Sequence, residues 1–129
     1  MTSEYERLAT ERYVLVTTYR RTGDPVATPT WVAGDGGELV VWTVRHSGKV
    51  KRIRRDPAVR VQACDARGRR THGLEVTGNA RLLDDAGSER VRRAIARKYG
   101  LLGQVSTFFS RLRGGPERTI GIAITLDES

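Results

Sequence analysis

The residues whose types and spacing best fit a chemical role lie between Thr43 and Lys49. The apolar run at 38–43 predicts a strand that ends at Thr43, and Ser47 stands where the N-cap of a following helix is expected. The first backbone N–H groups of such a helix have no intrahelical acceptor, so they attract anions. Gly48 permits close approach, and Lys49 brings a positive charge into the first turn. This order of groups predicts a phosphate site.

More positive charge follows on the same predicted helix, at Lys51, Arg52 and Arg55. Residues three or four apart on a helix are neighbours, so some of these side chains could lean towards the anion at the helix start. The alternative is a basic helix that only meets water and turns an apolar stripe of Val50 and Ile53 inward. The spacing alone leaves both interpretations open.

The overall charge is strongly positive, with 23 basic against 15 acidic residues and a formal net charge of +8. Such a balance favours nucleic acid as a partner. Only three of the basic residues are lysines, however, and the arginines are spread from Arg7 to Arg118 rather than gathered in one segment. No aromatic residues alternate with the basic helix, and no nucleic-acid-binding motif is present. We therefore expect no nucleic-acid partner.

Sequence patterns of the common catalytic classes are absent. There is no GxSxG, HExxH, Walker or GxGxxG motif. His46 and His72 are too few and too far apart in sequence for a metal site, so none is expected. The single cysteine, Cys64, excludes an intramolecular disulfide and is expected to be buried and inert. No catalytic residue stands out, and redox chemistry would need a cofactor.

The length of 129 residues predicts a single domain, 1–129, whose small core would favour a homodimer. No apolar run approaches the roughly 20 residues that a membrane span needs. The start of the chain lacks the basic and then apolar pattern of a secretory signal. A cytoplasmic protein without a membrane partner is expected.

The first part of the chain is expected to contain a short helix and then strands. Ser3 or Thr2 would cap a helix over 3–10. Apolar and β-branched runs separated by glycine-bearing turns predict a meander of three antiparallel strands, at 13–19, 26–33 and 38–43. Pro29 has no N–H, so its strand must lie at an edge, bulge, or open towards a ligand.

The second part alternates between helical and strand patterns. The basic helix would end at Asp56 and Pro57, and Gly78 would mark a bulge or bend in a later strand. A further helix would end at Gly100. The expected strands lie at 58–65, 74–83 and 118–126, and a second helical stripe covers 101–112. These elements predict a small antiparallel barrel with attached helices.

The motifs resemble those of a known family. The runs ELVVWT, RHSGKVKRIRRDPAVRV and GLEVTGNARLL are similar to the split β-barrel flavin and deazaflavin proteins related to pyridoxamine 5′-phosphate oxidase. Within them, the chain resembles the actinobacterial branch that uses coenzyme F420. The similarity runs from about Tyr13 to Leu83 and, more loosely, through the last strand. It implies a mainly β fold, a six-stranded antiparallel split β-barrel, with F420 as cofactor and FMN as the alternative.

The resemblance also implies roles for particular residues. In that family the Thr that ends the third strand and a Ser-x-Lys that opens the next helix bind the cofactor phosphate. These groups correspond to Thr43, Ser47 and Lys49, with Gly48 between the last two. The strand VATPTWV resembles the one whose backbone lies along the cofactor ring, so the expected ring neighbours are Thr28, Pro29, Thr30 and Trp31.

Two departures from the oxidase pattern bear on the ligand. Gly48 stands where the oxidase has an arginine, which removes a phosphate contact that FMN would use. The ending TIGIAITLDES lacks the oxidase's substrate-binding region, so pyridoxamine phosphate is not expected as substrate. Coenzyme F420 carries a phospholactyl group and a polyglutamate tail, and Lys51, Arg52 and Arg55 would bind that tail.

The resulting hypothesis is an F420-dependent oxidoreductase. A homodimer would hold reduced F420 in a groove at the subunit interface and pass a hydride to a small, planar, electron-poor substrate. The alternative is a non-catalytic F420, FMN or haem binding protein of the same fold, with His46 or His72 as the axial ligand of haem. Trp42 is expected in the core or in the dimer interface.

Overall fold

The computed structural model describes residues 3–104, 106 and 115–127. Their helices are α1 (Glu4–Ala9), α2 (Gly48–Arg55) and α3 (Asp85–Leu101), with a 3₁₀ turn at Pro116–Arg118. The strands are β1 (Val14–Tyr19), β2 (Pro25–Thr30), β3 (Ala33–Asp35), β4 (Glu38–Val44), β5 (Ala58–Cys64), β6 (Thr71–Leu82) and β7 (Thr119–Leu126). The predicted mainly β class is confirmed. No helix in the described part of the chain has the length and apolar character needed to cross a membrane.

The seven strands form one antiparallel sheet in the order β2, β1, β5, β6, β7, β4, β3. β1 pairs with β2, and β3 pairs with β4, but no ladder in the described residues joins β2 to β3 or to β4. The predicted three-strand meander is therefore wrong. The six-stranded barrel is not confirmed either, because the sheet of the described residues has seven strands and no ladder among them closes it.

The break between β2 and β3 explains why the meander does not form. The predicted strand at 26–33 is interrupted where Trp31 and Val32 turn into the interior and become buried. The Trp31 ring stacks on Tyr99 of α3, with the ring centroids 4.1 Å apart. The Val32 N–H donates to the Tyr99 hydroxyl at 2.9 Å. The Tyr99 hydroxyl thus accepts a backbone hydrogen bond that a neighbouring strand would otherwise accept. Between β2 and β3 the chain passes from one edge of the sheet to the other.

The core consists of two clusters on opposite faces of the sheet. Leu39 and Val41 belong to the first cluster, whereas Val40 and Trp42 of the same strand belong to the second. Because successive side chains in a strand point to opposite faces, this division follows from the strand period. The basic helix α2 contributes Ile53 to the first cluster. α3 covers the second face with the stripe Val91, Ile95 and Tyr99.

The sequence predicts a bulge or a bend at Gly78, but no bulge lies there. Gly78 lies in regular register with Val59 on β5 and Leu126 on β7. A Cβ atom at this position would lie 2.6 Å from the Thr125 carbonyl oxygen, so glycine is required by the close approach of β6 and β7. The register of β5 with β6 shifts instead between Val61 and Ala63.

The end of α3 also differs from the prediction. The helix passes Gly100 and ends at Leu101, and Gly103 adopts φ +77. The Gly103 N–H donates to the Gly100 oxygen at 3.0 Å, and the Gln104 N–H donates to the Tyr99 oxygen at 2.8 Å. This is the Schellman arrangement, with Gly103 in the left-handed position that was expected for Gly100. The predicted helical stripe over 101–112 lies mostly outside the described residues.

Candidate functional site

The start of α2 has the geometry that the sequence predicts. Ser47 is the N-cap, and its Oγ accepts the Val50 N–H at 3.4 Å. The Thr43 Oγ1 lies 3.4 Å from the Ser47 Oγ, so the end of β4 and the helix cap are side by side. Two hydroxyl groups and the first N–H groups of the helix therefore lie at the same helix end.

Lys49 is the most unusual side chain at this helix end. It is charged, yet only 8% of it is exposed. The part of the chain that the structure describes gives it neither a hydrogen bond nor an ion pair. Burial, followed by the charge of Arg52, lowers the pKa of Lys49 to about 8. Burying an ammonium group without a partner is unfavourable, so an anion that bound here would gain a strong charge-assisted contact.

Lys49 lines a pocket of about 250 Å³, which we call the Lys49 pocket. Its other walls come from the end of β2 and the residue that follows it, from β4, and from the first residue of β7. These residues are Pro29, Thr30, Trp31, Trp42, Thr43, Val44 and Thr119. Indole and proline rings supply apolar surface, whereas the ammonium and hydroxyl groups supply polar contacts. Such a lining suits an anionic group attached to a flat ring.

A second pocket, of about 460 Å³, borders Gly48, and we call it the arginine pocket. It is lined by Arg20, Arg21, Gly48, Lys51, Arg52 and Arg55. None of its five cationic side chains forms an ion pair with a carboxylate of the described residues. Two of the arginines are tied to the end of β1, because Arg52 Nε donates to Thr18 Oγ1 at 2.6 Å and Arg55 donates to the Tyr19 carbonyl.

The structure brings most of the predicted site residues to these two pockets. Pro29, Thr30, Trp31, Thr43 and Lys49 line the first, and Gly48, Lys51, Arg52 and Arg55 line the second. Ser47 caps the helix beside them. Thr28 lines neither pocket, and its buried hydroxyl has no hydrogen-bond partner among the described residues. That these residues bind a cofactor stays a prediction.

Five lining residues were not anticipated as site residues: Arg20, Arg21, Trp42, Val44 and Thr119. The two arginines open the turn RRTGDP, whose glycine and proline reveal a hairpin but not what it faces. Thr119 reaches the site because it pairs with Val44 across β4 and β7. Both placements depend on contacts between segments that are distant in sequence, and a local sequence pattern does not predict such contacts.

Trp42 is expected in the core or the dimer interface. It is 7% exposed, belongs to the second core cluster and also lines the Lys49 pocket.

His46, His72 and Cys64 line neither the Lys49 pocket nor the arginine pocket. His46 is exposed in the turn before α2, and His72 is exposed with Nε2 2.7 Å from Glu11 Oε1. Within the described ranges no group of three or more potential metal ligands is found. Cys64 is buried, as expected. Burial raises the pKa of its thiol to about 11, which disfavours thiolate chemistry near neutral pH.

A known family matches most of the chain. The family model described as pyridoxamine 5′-phosphate oxidase matches residues 1–123 of the chain. No curated protein matches the chain significantly.

Several solved structures share the fold. A conserved hypothetical protein from Mycobacterium tuberculosis has a TM-score of 0.72 and 21% identity, over 99% of this chain and 82% of its own. An F420 reductase from Mycobacterium smegmatis has a TM-score of 0.63 and 20% identity, over 99% and 97% of the two chains. An FAD and haem binding protein from Mycobacterium smegmatis has a TM-score of 0.67 and 17% identity, over 100% and 73%. At these identities the likeness concerns the fold alone.

Proposed function

The chain belongs to the pyridoxamine 5′-phosphate oxidase family, and on that premise we propose that it binds coenzyme F420 and transfers a hydride from the reduced form to a small, planar, electron-poor substrate. The observation that carries the proposal is Lys49, a buried ammonium group without a partner in the described residues, beside Thr43 and Ser47. A phosphate is the group such a helix start binds best. Solved proteins of this fold are named for F420, FAD and haem, which supports a flavin-type cofactor at the level of class.

The chain's own residues would bind and orient the cofactor. The Lys49 ammonium would pair with the phosphate, and the Thr43 and Ser47 hydroxyls would donate to its oxygens. Pro29 and Thr30, on the edge strand β2, would contact the ring system. When bound, reduced F420 supplies the hydride. The protein's contribution is to fix the ring against the substrate and to keep water away from it.

The preference for F420 over FMN rests on charge. FMN ends at its single phosphate, whereas F420 continues from its phosphate into a chain of glutamates. The arginine pocket adjoins the helix start through Gly48, and Lys51, Arg52 and Arg55 line it. These side chains would bind the glutamate tail, a use of charge that FMN does not require.

A second copy of the chain would complete the cofactor site. The Lys49 pocket measures about 250 Å³, whereas ligand pockets commonly measure roughly 300–1,000 Å³. It would therefore hold the phosphate and one edge of the ring. Val44 lies at this pocket and is 52% exposed, which leaves an apolar surface that a partner chain would cover.

Fluorescence titration with F420 and with FMN tests the binding proposal. Wild-type protein should bind F420 at micromolar concentrations or below. Lys49→Met should weaken binding by about 1.5–3 kcal/mol, because it removes a charged contact and keeps the side-chain volume. Arg54→Met removes a charge from an exposed position on the same helix and should bind as wild type does. Failure of wild type to bind either cofactor, or unchanged affinity in Lys49→Met, would contradict the proposal.

A turnover assay separates an enzyme from a non-catalytic carrier. The protein is mixed with reduced F420 and a panel of quinones, nitroaromatics and activated alkenes. Return of the oxidised cofactor's fluorescence reports hydride transfer to one of them. Tight binding without turnover of any member of the panel would favour the carrier.

Haem binding is the second candidate, and two observations favour it. One solved relative is named as an FAD and haem binding protein. His46 is exposed in the turn that leads to α2, whereas His72 is engaged by Glu11. Titration with haemin decides between the candidates. A Soret shift that is lost in His46→Ala and kept in His72→Ala would favour haem over F420.

A further inference from the structure

A third pocket, of about 480 Å³, lies at the C-terminal part of α3, and we call it the α3 pocket. It shares no lining residue with the Lys49 pocket or the arginine pocket. Its lining comes from α3, from β3 and from the residues that follow α1: Thr10, Arg12, Ala33, Gly34, Ala94, Arg97, Lys98, Leu101 and Leu102. A ligand bound here would occupy a site separate from the proposed cofactor site.

Part of this lining is apolar. Leu101 and Leu102 are two of the four exposed large apolar side chains in the described part of the chain, and both line the α3 pocket. Leu101 is 85% exposed. Ala33 and Ala94 add small apolar side chains, which leave room beside them. These groups would contact the apolar body of a ligand.

Lys98 fixes the backbone around the α3 pocket. Its ammonium group donates to the carbonyls of Ala9 at 2.8 Å, Glu11 at 2.5 Å and Val32 at 2.7 Å. These bonds use its three donors, so they hold α3 against the end of α1 and the segment before β3. Burial lowers the pKa of Lys98 to about 8, although the charge of Glu11 opposes this shift. The Glu11 carboxylate itself pairs with His72, so Lys98 has carbonyl partners but no ion pair among the described residues.

Two guanidinium groups add positive charge to the same pocket. Arg12 and Arg97 are exposed, and neither side chain forms a hydrogen bond or an ion pair with the described residues. Arg97 differs in this from the other arginines of α3, each of which lies within ion-pair distance of a carboxylate: Arg90, Arg92 and Arg93. Arginine pairs with carboxylates in a bidentate way and also stacks on flat rings. The α3 pocket therefore combines unpaired guanidinium groups with apolar surface.

We propose that the α3 pocket binds a small aromatic carboxylate, with Arg12 and Arg97 as the residues that pair with its carboxylate group. The ring would lie against Ala94 and the leucines at the end of α3. A neutral ring would leave the guanidinium groups without a partner, and a small inorganic anion would leave the leucines exposed. The two features together favour an anion with a flat apolar body. This inference does not depend on the proposed function, because it concerns a separate pocket.

Isothermal titration calorimetry with naphthoate tests the site. Wild type should bind naphthoate at micromolar concentrations and should bind the neutral naphthamide about tenfold more weakly. Arg12→Met/Arg97→Met removes both charges, so it should lower the affinity for naphthoate about tenfold and leave that for naphthamide unchanged. The matched variant Arg67→Met/Arg69→Met removes two exposed arginines from another turn and should bind naphthoate as wild type does.

A second variant tests the apolar part of the pocket. Ala94→Leu fills space that the ring would need, so it should weaken the binding of both naphthoate and naphthamide. Ala86→Leu makes the same change at an exposed position of α3 outside the pocket and should bind both ligands normally. Urea unfolding checks that each variant is folded.

The Lys49 pocket also suits an anionic ring, and Lys49→Met separates the two sites. This variant should bind naphthoate as wild type does. Weaker binding to Lys49→Met would place the probe in the Lys49 pocket and overturn the inference. Failure of wild type to bind naphthoate would also overturn it, as would equal affinity for naphthoate and naphthamide. None of these results bears on the titration with F420, which tests the proposed function separately.

Discussion

Lys49 is a buried ammonium group that no neighbouring side chain in the described part of the chain compensates. Folding lowers its pKa from 10.5 to about 8, a difference that corresponds to roughly 3 kcal/mol of lost stability at neutral pH. Lys49→Met should therefore raise the free energy of unfolding near neutral pH by up to about 3 kcal/mol, while it weakens anion binding. Urea unfolding of both proteins measures this difference. A less stable Lys49→Met protein would contradict the account of the site.

The lowered pKa of Lys49 also predicts how the stability difference between Lys49→Met and wild type varies with pH. Between about pH 8 and pH 10.5 the unfolded chain keeps a proton on Lys49 that the folded chain has released. The wild type should therefore gain stability as the pH rises through this window. The stability gap between Lys49→Met and wild type should be constant below pH 8 and narrow above it. Other titrating groups are common to both proteins, so a gap that widens above pH 8 would count against the buried charge of Lys49.

The residues at the start of α2 also show what local sequence can reveal. Thr43, Ser47 and Lys49 could be identified because a strand end and an N-cap are properties of adjacent residues. The hydrogen bond from Arg52 to Thr18 could not, because it joins α2 to β1 across 34 positions of sequence. The burial of Lys49 could not be predicted for the same reason, because residues of β2, β4 and β7 surround its pocket.

At the scale of elements, α3 holds the segment between β2 and β3 through Tyr99. Its hydroxyl accepts the Val32 N–H at 2.9 Å and donates to the Arg12 carbonyl at 2.6 Å. Tyr99→Phe keeps the ring stack on Trp31 but removes both bonds and leaves the N–H of the buried Val32 without this acceptor, so it should lower the free energy of unfolding by about 1–3 kcal/mol. Thermal and urea unfolding provide the measurement.

A second tyrosine provides the control for this variant. The Tyr5 hydroxyl makes no hydrogen bond with the described residues, so Tyr5→Phe should change the stability little. Equal effects of the two substitutions would show that the Tyr99 hydroxyl does not hold the segment. Because Trp31 lines the Lys49 pocket, Tyr99→Phe should also weaken cofactor binding more than Tyr5→Phe does.

Gly78 permits the close contact between β6 and β7. Its substitution by alanine would bring the new Cβ to 2.6 Å from the Thr125 carbonyl oxygen, which is backbone and cannot rotate away. Gly78→Ala should therefore cost about 1–3 kcal/mol of stability, as other overpacked sites do. Asn79→Ala, at the next and exposed position, should stay within about 0.5 kcal/mol of wild type. Equal stabilities of the two variants in urea would rule out the predicted clash.

The positions of most elements could be predicted, but their arrangement in the sheet could not. Alternation and turn residues locate β1, β4 and β7 to within a residue or two, because these signals are local. The pairing of β1 with β5 and of β4 with β7 joins segments far apart in sequence. A meander is expected when strands that are adjacent in sequence pair with each other. The turn of Trp31 and Val32 towards α3 prevents this pairing between β2 and β3.

At the scale of the whole molecule, the excess of positive charge is not uniform. Arg81, Arg90 and Arg92 lie within ion-pair distance of Glu38, Asp35 and Glu89 respectively. The arginines of the arginine pocket have no such partner among the described residues. A net charge of +8 therefore says little by itself, because part of the basic surface is locally balanced and part of it is not. Sequence patterns could not distinguish the two groups, since the balancing carboxylates mostly come from other elements.

The predicted homodimer is also a property of the whole molecule, and the mass of the protein in solution tests it. Sedimentation should give twice the mass of the chain, and the partner should cover the Lys49 pocket beside Val44. Val44→Asp places a charge on that 52% exposed apolar surface, so it should shift the protein towards monomer and weaken F420 binding in parallel. Leu74→Asp, at a 71% exposed residue outside both pockets, should stay dimeric and bind F420 normally. A wild-type monomer that binds F420 at full affinity would show that one chain makes the whole site.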